Sequence, residues 1–370
     1  MRPLKIAIIA DALDNQSAGV HVFTREMIQA MIKTNTNHEI LLIRQKKDLN
    51  SEGVKEIIIK NINLPIGYAS FRLFCIIPFI LIRHKVDIVI EPAHFGPFNL
   101  PSYIKRVTVI HDLTPILFPE YHRFFSWFLQ KLFLGKIIAN ADLLIANSNY
   151  TQQDILKYYP KSKDKIVKIY PDSSLSNKKE IVPQKTLFNF PYFLTVGTIE
   201  PRKNHLLLLD AFEIFKNNNS EYKLVIAGAK GWKSKAVFNK ISNHKFKDDI
   251  IVTGFVDNET LSSLYQNAKA MIYPSKYEGF GLPVLESIRM GTIPILTKNS
   301  SLPEVGGNQA FYIHKDCPIV LSKVMQQVVS LKEAEREIII QKLKKHTAQF
   351  SWQNFGKQIW EELTTLTGNK

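Results

Sequence analysis

Tyr273-Pro-Ser-Lys-Tyr-Glu278-Gly-Phe-Gly-Leu-Pro-Val-Leu-Glu286 is the stretch that decides how this chain is read. Ala270-Met-Ile-Tyr273 before it has the apolar character of a short buried strand. Val284 to Met290 after it has helical spacing, closed by Gly291. The unit is therefore strand, glycine-rich turn, helix, with a carboxylate on each side of the turn. Backbone N–H groups at such a turn and helix start suit phosphate oxygens. Carboxylates accept hydrogen bonds from sugar and ribose hydroxyls. A sugar nucleotide is the ligand class that needs both.

Outward from this segment, short apolar runs alternate with amphipathic helical patterns along the whole chain. Strands are expected at Lys5–Ala10, Glu39–Ile43, Glu56–Lys60, Ile88–Glu91, Arg106–Ile110 and Leu143–Ala146. In the second half they are expected at Tyr192–Val196, Tyr222–Ala227, Ile250–Thr253, Ala270–Ile272 and Thr292–Leu296. Helices between them include Gly19–Thr34, Ser70–His84, Ser126–Asn140, Pro283–Met290 and one long helix over Ile319–Gln349. A βαβα order implies parallel sheets covered on both faces. At 370 residues, two domains are the natural division. The expected fold class is α/β, two doubly wound Rossmann-like domains facing a central cleft. The first spans 1–170. A polar, proline-bounded linker covers 171–190, and the second domain spans 191–351. A terminal helix over 352–370, with an apolar stripe at Trp352, Phe355, Ile359, Trp360 and Leu363, completes the first. Ligands of such sheets bind at the carboxyl ends of strands.

Several strand ends carry chemistry. Thr195-Val-Gly197-Thr198-Ile-Glu200-Pro-Arg202-Lys203-Asn204 places two adjacent cations where they can clamp a diphosphate, a solvated basic turn being the bland alternative. Gly254 and Phe255 end another strand; Phe255 suits a nucleotide base or, equally, the core. His111-Asp112 follows a strand, and His111 reads either as structural or as an acceptor for a sugar hydroxyl. Ser17 and Gly19 open the first helix and offer weak support for a phosphate turn. Glu304, in the loop after the last strand, reads as loop structure, with a direct ligand role as the alternative.

The net charge of +15 and pI of about 9.5 favour anionic partners. The excess is spread over both halves, and no aromatic-basic interleaving marks a nucleic-acid surface. Two separated cysteines, Cys75 and Cys317, form neither a disulfide framework nor a metal cluster. They fit a reducing cytoplasm. No Asp-x-Asp-type cradle is present; Asp248-Asp249 lies beside Lys247. Phe71 to Ile82 is strongly apolar, shorter than the ~20 residues of a membrane span, and interrupted by Pro78. It reads as a buried helix or as one that dips into a membrane interface, with Arg72, Arg83, His84 and Lys85 then facing lipid headgroups.

Taken in order, Glu278…Glu286 with Gly-Phe-Gly-Leu-Pro between, Gly197…Pro201-Arg202-Lys203-Asn204, Gly254-Phe255, Pro274-Ser275, His111-Asp112 and Ser148 resemble the GT-B fold glycosyltransferases of family 4. The resemblance covers nearly the whole chain and is sharper in the second half. It implies a retaining, metal-independent glycosyltransferase with no cofactor beyond a nucleotide-diphosphate sugar. It also implies roles: His111, Glu278, Arg202 and Lys203 around the reaction; Glu278 for the donor sugar; Arg202 and Lys203 for the diphosphate. Glu286 would take the ribose. Gly19, Thr198, Gly254, Phe255, Phe280, Gly281 and Leu282 would contribute to donor binding. Many members carry arginine where this chain has Thr198, so Arg202, four positions on, is expected to supply that charge. The Gly197-Thr-Ile-Glu-Pro-Arg-Lys-Asn204 variant resembles that of bacterial mannosyl- and rhamnosyltransferases of surface-polysaccharide assembly. That implies GDP-mannose as donor, UDP- or dTDP-sugars as alternatives, and a lipid-linked saccharide acceptor, at the inner face of the cytoplasmic membrane. A nucleotide-sugar 2-epimerase and a non-catalytic polyanion binder are the rival readings.

Overall fold

The computed structural model describes residues 2–14, 18–35, 37–46, 54–60, 68–121, 124–177 and 186–368. The chain divides into two compact units, Met1–Pro171 with Phe350–Lys370, and Asp172–Gln349.

The first unit holds a sheet of β1 (Lys5–Ile9), β2 (Glu39–Arg44), β3 (Lys55–Ile58), β4 (Ile88–Glu91), β5 (Lys105–Ile110), β6 (Leu143–Ala146) and β7 (Ile166–Lys168), in the order β3-β2-β1-β4-β5-β6-β7. Every pair is parallel. The central strands are almost wholly apolar because both faces are covered. The strand order reverses at β1 and β4, the position where such sheets open a ligand crevice.

The terminal helix, Trp352–Leu366, packs on the helix Ala18–Thr34 of this unit. Its stripe of Trp352, Phe355, Ile359, Trp360 and Leu363 is buried with Phe23, Met27 and Met31. Burying each such side chain stabilises by about 2 kcal/mol. The Trp360 indole also donates to the Met31 carbonyl at 3.0 Å.

The apolar segment around Pro78 is one continuous helical run with a wide π turn, Arg72–Ile76, at its centre. Pro78 explains the turn: it has no N–H for the carbonyl of Phe74, and its ring crowds that carbonyl. The side-chain amide of Asn99 donates to the Phe74 oxygen instead, at 2.7 Å. Arg72 does not face outward as the sequence suggested. It is buried, and its guanidinium forks onto Asp11, with Nη2 to Oδ1 at 2.8 Å. Phe71, Cys75, Phe79 and Ile82 form the exposed face of this run, with Phe79 62% exposed.

The second unit holds β8 (Tyr192–Val196), β9 (Lys223–Ala227), β10 (Ile250–Gly254), β11 (Ala270–Tyr273), β12 (Pro294–Thr297) and β13 (Phe311–Ile313), ordered β10-β9-β8-β11-β12-β13 and all parallel. Here the order reverses between β8 and β11, so the loops after those two strands leave the sheet side by side. Gly228, after β9, sits so close to the β8 loop that a Cβ would lie 2.0 Å from the Gly197 oxygen.

Three expectations are revised. β7 and β13 were not foreseen, because three-residue edge strands carry too little pattern. The long helix over 319–349 is two, Pro318–Val329 and Glu333–Thr347, broken where Lys332 turns extended and its N–H donates to the Glu335 carboxylate at 2.9 Å. Part of the expected linker, 178–185, lies outside the described residues; of the remainder, Asp172, Ser173 and Leu175 are buried in the second unit.

Candidate active site

In the second unit, the loop after β8 ends in a short 3-10 turn, Pro201–Lys203, closed by Asn204 in a left-handed conformation (φ 57°). Pro201 pre-sets the φ of that turn, and Asn is among the residues that tolerate the left-handed closure. The turn aims Arg202 and Lys203 at the loop after β11. Lys203 Nζ meets Glu278 Oε1 at 2.7 Å, and Arg202 Nη1 meets Oε2 at 2.7 Å. Arg202 also donates to the Tyr277 carbonyl at 2.8 Å and, through Nη2, to Glu200 at 2.9 Å. Lys203 donates to the Tyr273 hydroxyl as well, with its ammonium 4.7 Å from the ring centroid. These cations are not a solvated turn: both are largely buried.

Burial opposes charge on Glu278, but Arg202 and then Lys203 outweigh it and hold the carboxyl down at about 2. Burial lowers the Lys203 ammonium, with Glu278 pulling it back up. At neutral pH the cluster is a carboxylate held between two cations. His205, buried just behind Lys203, is pushed down to about 4 by burial and by that neighbouring charge. It is neutral there.

The glycine turn follows directly. Gly281 has φ 103°, which only glycine adopts without strain, and it starts the helix Leu282–Arg289. Two residues that the sequence reading missed fasten this turn from the loop after β12. The Glu278 N–H donates to the Ser300 hydroxyl at 3.0 Å, with Ser300 itself left-handed (φ 47°). The fully buried Ser301 hydroxyl lies 2.9 Å from the Glu278 oxygen and 2.8 Å from the Phe280 oxygen, sharing its proton between them. Serines in a loop carry no chemical signal in sequence. Only the β11–β12 pairing reveals what they hold.

Glu286 lies in the same helix, buried, with Oε2 accepting from the Tyr265 hydroxyl at 3.0 Å. Burial pushes its carboxyl up to about 7, against the pull of that hydrogen bond. Oε1 has no hydrogen-bond partner among the described residues. The two acids are thus opposites: Glu278 a fixed anion, Glu286 poised to titrate near neutrality.

The remaining expected site residues fall as follows. Phe255 is 86% exposed at the end of β10, which excludes the core reading and leaves an aromatic face at a strand's carboxyl end. Gly254 before it has φ 73°. Thr198 is half-buried against the Gly231 turn. Phe280 is buried. Gly19 is exposed with open space where a Cβ would go, so nothing there requires glycine; Ser17 lies outside the described residues. Asp249 pairs with Lys216 and Lys223. No group of three or more His, Cys, Asp or Glu among the described residues could hold a metal ion.

His111 belongs to the first unit, just past β5. Its Nε2 lies 2.7 Å from the Pro92 carbonyl, which can only accept, so Nε2 carries the proton. Its backbone N–H donates to His94 Nε2 at 2.5 Å, and the two rings lie 5.1 Å apart. Burial lowers both imidazoles, His94 to about 3. Asp112 accepts from the N–H of Thr114, the first residue of a short helix, at 2.9 Å. Ser148 caps the helix Asn149–Tyr158.

Two parallel α/β units with polar loops gathered at the carboxyl ends of their strands define the GT-B class of glycosyltransferases. A glycosyltransferase from Rickettsia africae ESF-5 has this fold with a TM-score of 0.73, at 19% identity, covering all of both chains. Residues 17–171 match the domain family described as Glycosyltransferase Family 4, and residues 177–346 match Glycosyl transferases group 1. The chain belongs to these glycosyltransferases. The O-antigen chain mannosyltransferase B of Escherichia coli is 29% identical over 70% of this chain and 71% of its own length. The serotype-specific mannosyltransferase WbdA of Escherichia coli is 27% identical over 71% of this chain, which spans only 34% of that protein. Membership displaces the epimerase and polyanion-binder readings. Among the described residues, no helix is long and apolar enough to cross a membrane.

Proposed function

We propose that this glycosyltransferase moves a mannosyl group from GDP-mannose, with retention and without a metal, to a lipid-linked saccharide in O-antigen-type assembly. The observation that carries the site assignment is the seating of Lys203 and Arg202 on Glu278, beside a glycine turn and a helix start. When a sugar diphosphate breaks, negative charge grows on the leaving phosphate, and pre-placed cations stabilise it without reorganisation. Arg202, Lys203 and the positive end of the Leu282–Arg289 helix supply that stabilisation. The C1–O bond to the phosphate breaks, the acceptor oxygen bonds to C1 on the same face, and its proton passes to the leaving phosphate oxygen. A double displacement through Glu278 is disfavoured, because a carboxylate held down at about 2 with a cation on each oxygen is a poor nucleophile.

Mannose and the surface-polysaccharide acceptor are supported by what the relatives in Escherichia coli are named for. Melting the protein with GDP, UDP, dTDP and ADP tests the donor, since a ligand of the native state raises its stability by mass action. GDP is expected to give the largest shift; a larger one with UDP or dTDP would replace the donor. Turnover abolished by EDTA and restored by magnesium or manganese would overturn metal independence.

The lipid-linked acceptor and a peripheral seat at the inner membrane face are supported by the first unit. Phe71, Phe79, Ile82, Phe128 and Leu132 are exposed. Residues 68–86 and 124–141 contain cations and no acid. The Phe74 and Phe133 rings, 5.7 Å apart, join the two helices. Such a face suits anionic lipid. Co-sedimentation with phosphatidylglycerol vesicles at low salt, weakened by Phe79→Glu, is expected; equal binding by that variant would remove this face from the proposal.

A further inference from the structure

The first unit contains an unexplained polar group beside His111. In the parallel pairing of β5 with β6, Ile110 lies opposite Ala146. His111 and Asn147 therefore leave adjacent strands at the same level. Asn147 is 5% exposed, and among the described residues its side-chain oxygen has no hydrogen-bond partner. A buried amide oxygen without a partner costs about 1–3 kcal/mol, so native proteins rarely keep one unless something else uses it.

The neighbouring imidazole is arranged in the same sense. Pro92 takes the Nε2 proton of His111, which leaves the lone pair on Nδ1. The His111 backbone N–H is held by His94, a residue in the left-handed region at φ 66°. The His111 carbonyl accepts from the Thr151 hydroxyl at 3.2 Å, tying it to the helix that follows β6. The ring is thus fixed from both sides with an acceptor nitrogen left over. Among the described residues Nδ1 has no hydrogen-bond partner.

Two acceptors at the ends of adjacent strands, with no donor for either among the described residues, call for a ligand that brings donors. A carboxylate or a phosphodiester has none at neutral pH. A pair of sugar hydroxyls has two. We propose that the Asn147 oxygen is a further, specificity-determining acceptor for a saccharide hydroxyl, beside the His111 expected to take one, at the carboxyl ends of β5 and β6. This deepens the proposed function and rests on its glycosyltransferase reading. The hydroxyls belong either to the transferred sugar or to the acceptor sugar.

The test compares the full chain with Asn147→Leu and Asn147→Ser. Without ligand, Asn147→Leu melts at or above the wild-type temperature, because it removes an unsatisfied buried oxygen. A fall of several degrees, not recovered by Asn147→Ser, would make Asn147 a structural residue and overturn the subsite. This arm is independent of which nucleotide is bound, so it stands apart from the choice of GDP-mannose. With ligand, calorimetric titration is run with GDP, GDP-mannose and methyl α-mannoside. A roughly tenfold loss for GDP-mannose with GDP unchanged assigns the hydroxyls to the transferred sugar, since one buried hydrogen bond is worth about that factor. A loss confined to methyl α-mannoside assigns them to the acceptor sugar. Unchanged binding of both by Asn147→Leu overturns the proposal. A wild-type protein that binds UDP- or dTDP-sugar in place of GDP-mannose counts against the donor alone, and the same comparison is then read with that nucleotide sugar.

Discussion

Replacing Glu278 by glutamine keeps its shape and removes its charge. In the native protein Arg202 and Lys203 hold this carboxyl at about 2, against an ordinary value of 4.5. A depressed carboxyl contributes stability that is fully present above 4.5 and is lost as pH falls through 2. Two and a half units at about 1.4 kcal/mol each amount to about 3 kcal/mol at pH 7, shrinking to less than half of that at pH 3. The variant also presents amide hydrogens to two cations, so about 3 is the smaller side of the expected loss. For a unit of this size that corresponds to a melting temperature lower by roughly 6–12 °C. Calorimetric melts of both proteins at pH 7 and pH 3 read it directly, and the gap between them must narrow on acidification. Transfer or donor hydrolysis should fall by about two to three orders of magnitude in the folded variant, because the cations lose the group that aims them. A variant that melts within 2 °C of wild type at pH 7, or a gap that stays constant down to pH 3, would refute the ion-pair reasoning.

Two further outcomes are expected. Ser301→Ala removes the hydroxyl that ties the carbonyls of Glu278 and Phe280. It should cost about 1–2 kcal/mol and reduce kcat about tenfold, with Ser301→Thr restoring part of both; lowered melting with unchanged kcat would make Ser301 purely structural. Glu286→Gln tests the opposite sign. Burial raises that carboxyl to about 7, so its contribution is complete below 4.5 and is lost as pH rises through 7. The variant should match wild type near pH 4 and melt higher at pH 8. A constant difference across that range would count against it.

Much of the architecture was legible because parallel strands buried on both faces leave continuous apolar runs, and helices leave a 3.6-residue pattern. The failures have the same cause in reverse. Ile166–Lys168 and Phe311–Ile313 are too short to show a period. The Ser330–Lys332 break carries neither proline nor glycine. Arg72 beside an apolar run reads as a headgroup ligand until the π turn folds it onto Asp11. At the site, Arg202, Lys203 and Glu278 were visible as residue types at strand ends. That they hold one another was not, because a contact 75 residues apart depends on β8 lying beside β11. Ser300, Ser301, His94 and Asn147 were invisible for the same reason: their meaning lies in a backbone partner or in the lack of one.

The mutual grip of Glu278, Arg202 and Lys203 changes how the phosphate clamp works. With Glu200 on Arg202, two cations face two carboxylates and the cluster has no net charge. A diphosphate is therefore not drawn in by bare positive charge. It gains by sharing cations already desolvated and aimed, so neither must be reoriented when charge develops on the leaving group. Buried cations without Glu278 would have to be held against their own desolvation, and Lys203, already lowered by burial, would lose its main support. The acid at the start of the glycine turn thus keeps the clamp charged and in place. The cations in turn keep the acid ionised, so that it can accept hydroxyl hydrogen bonds at any physiological pH.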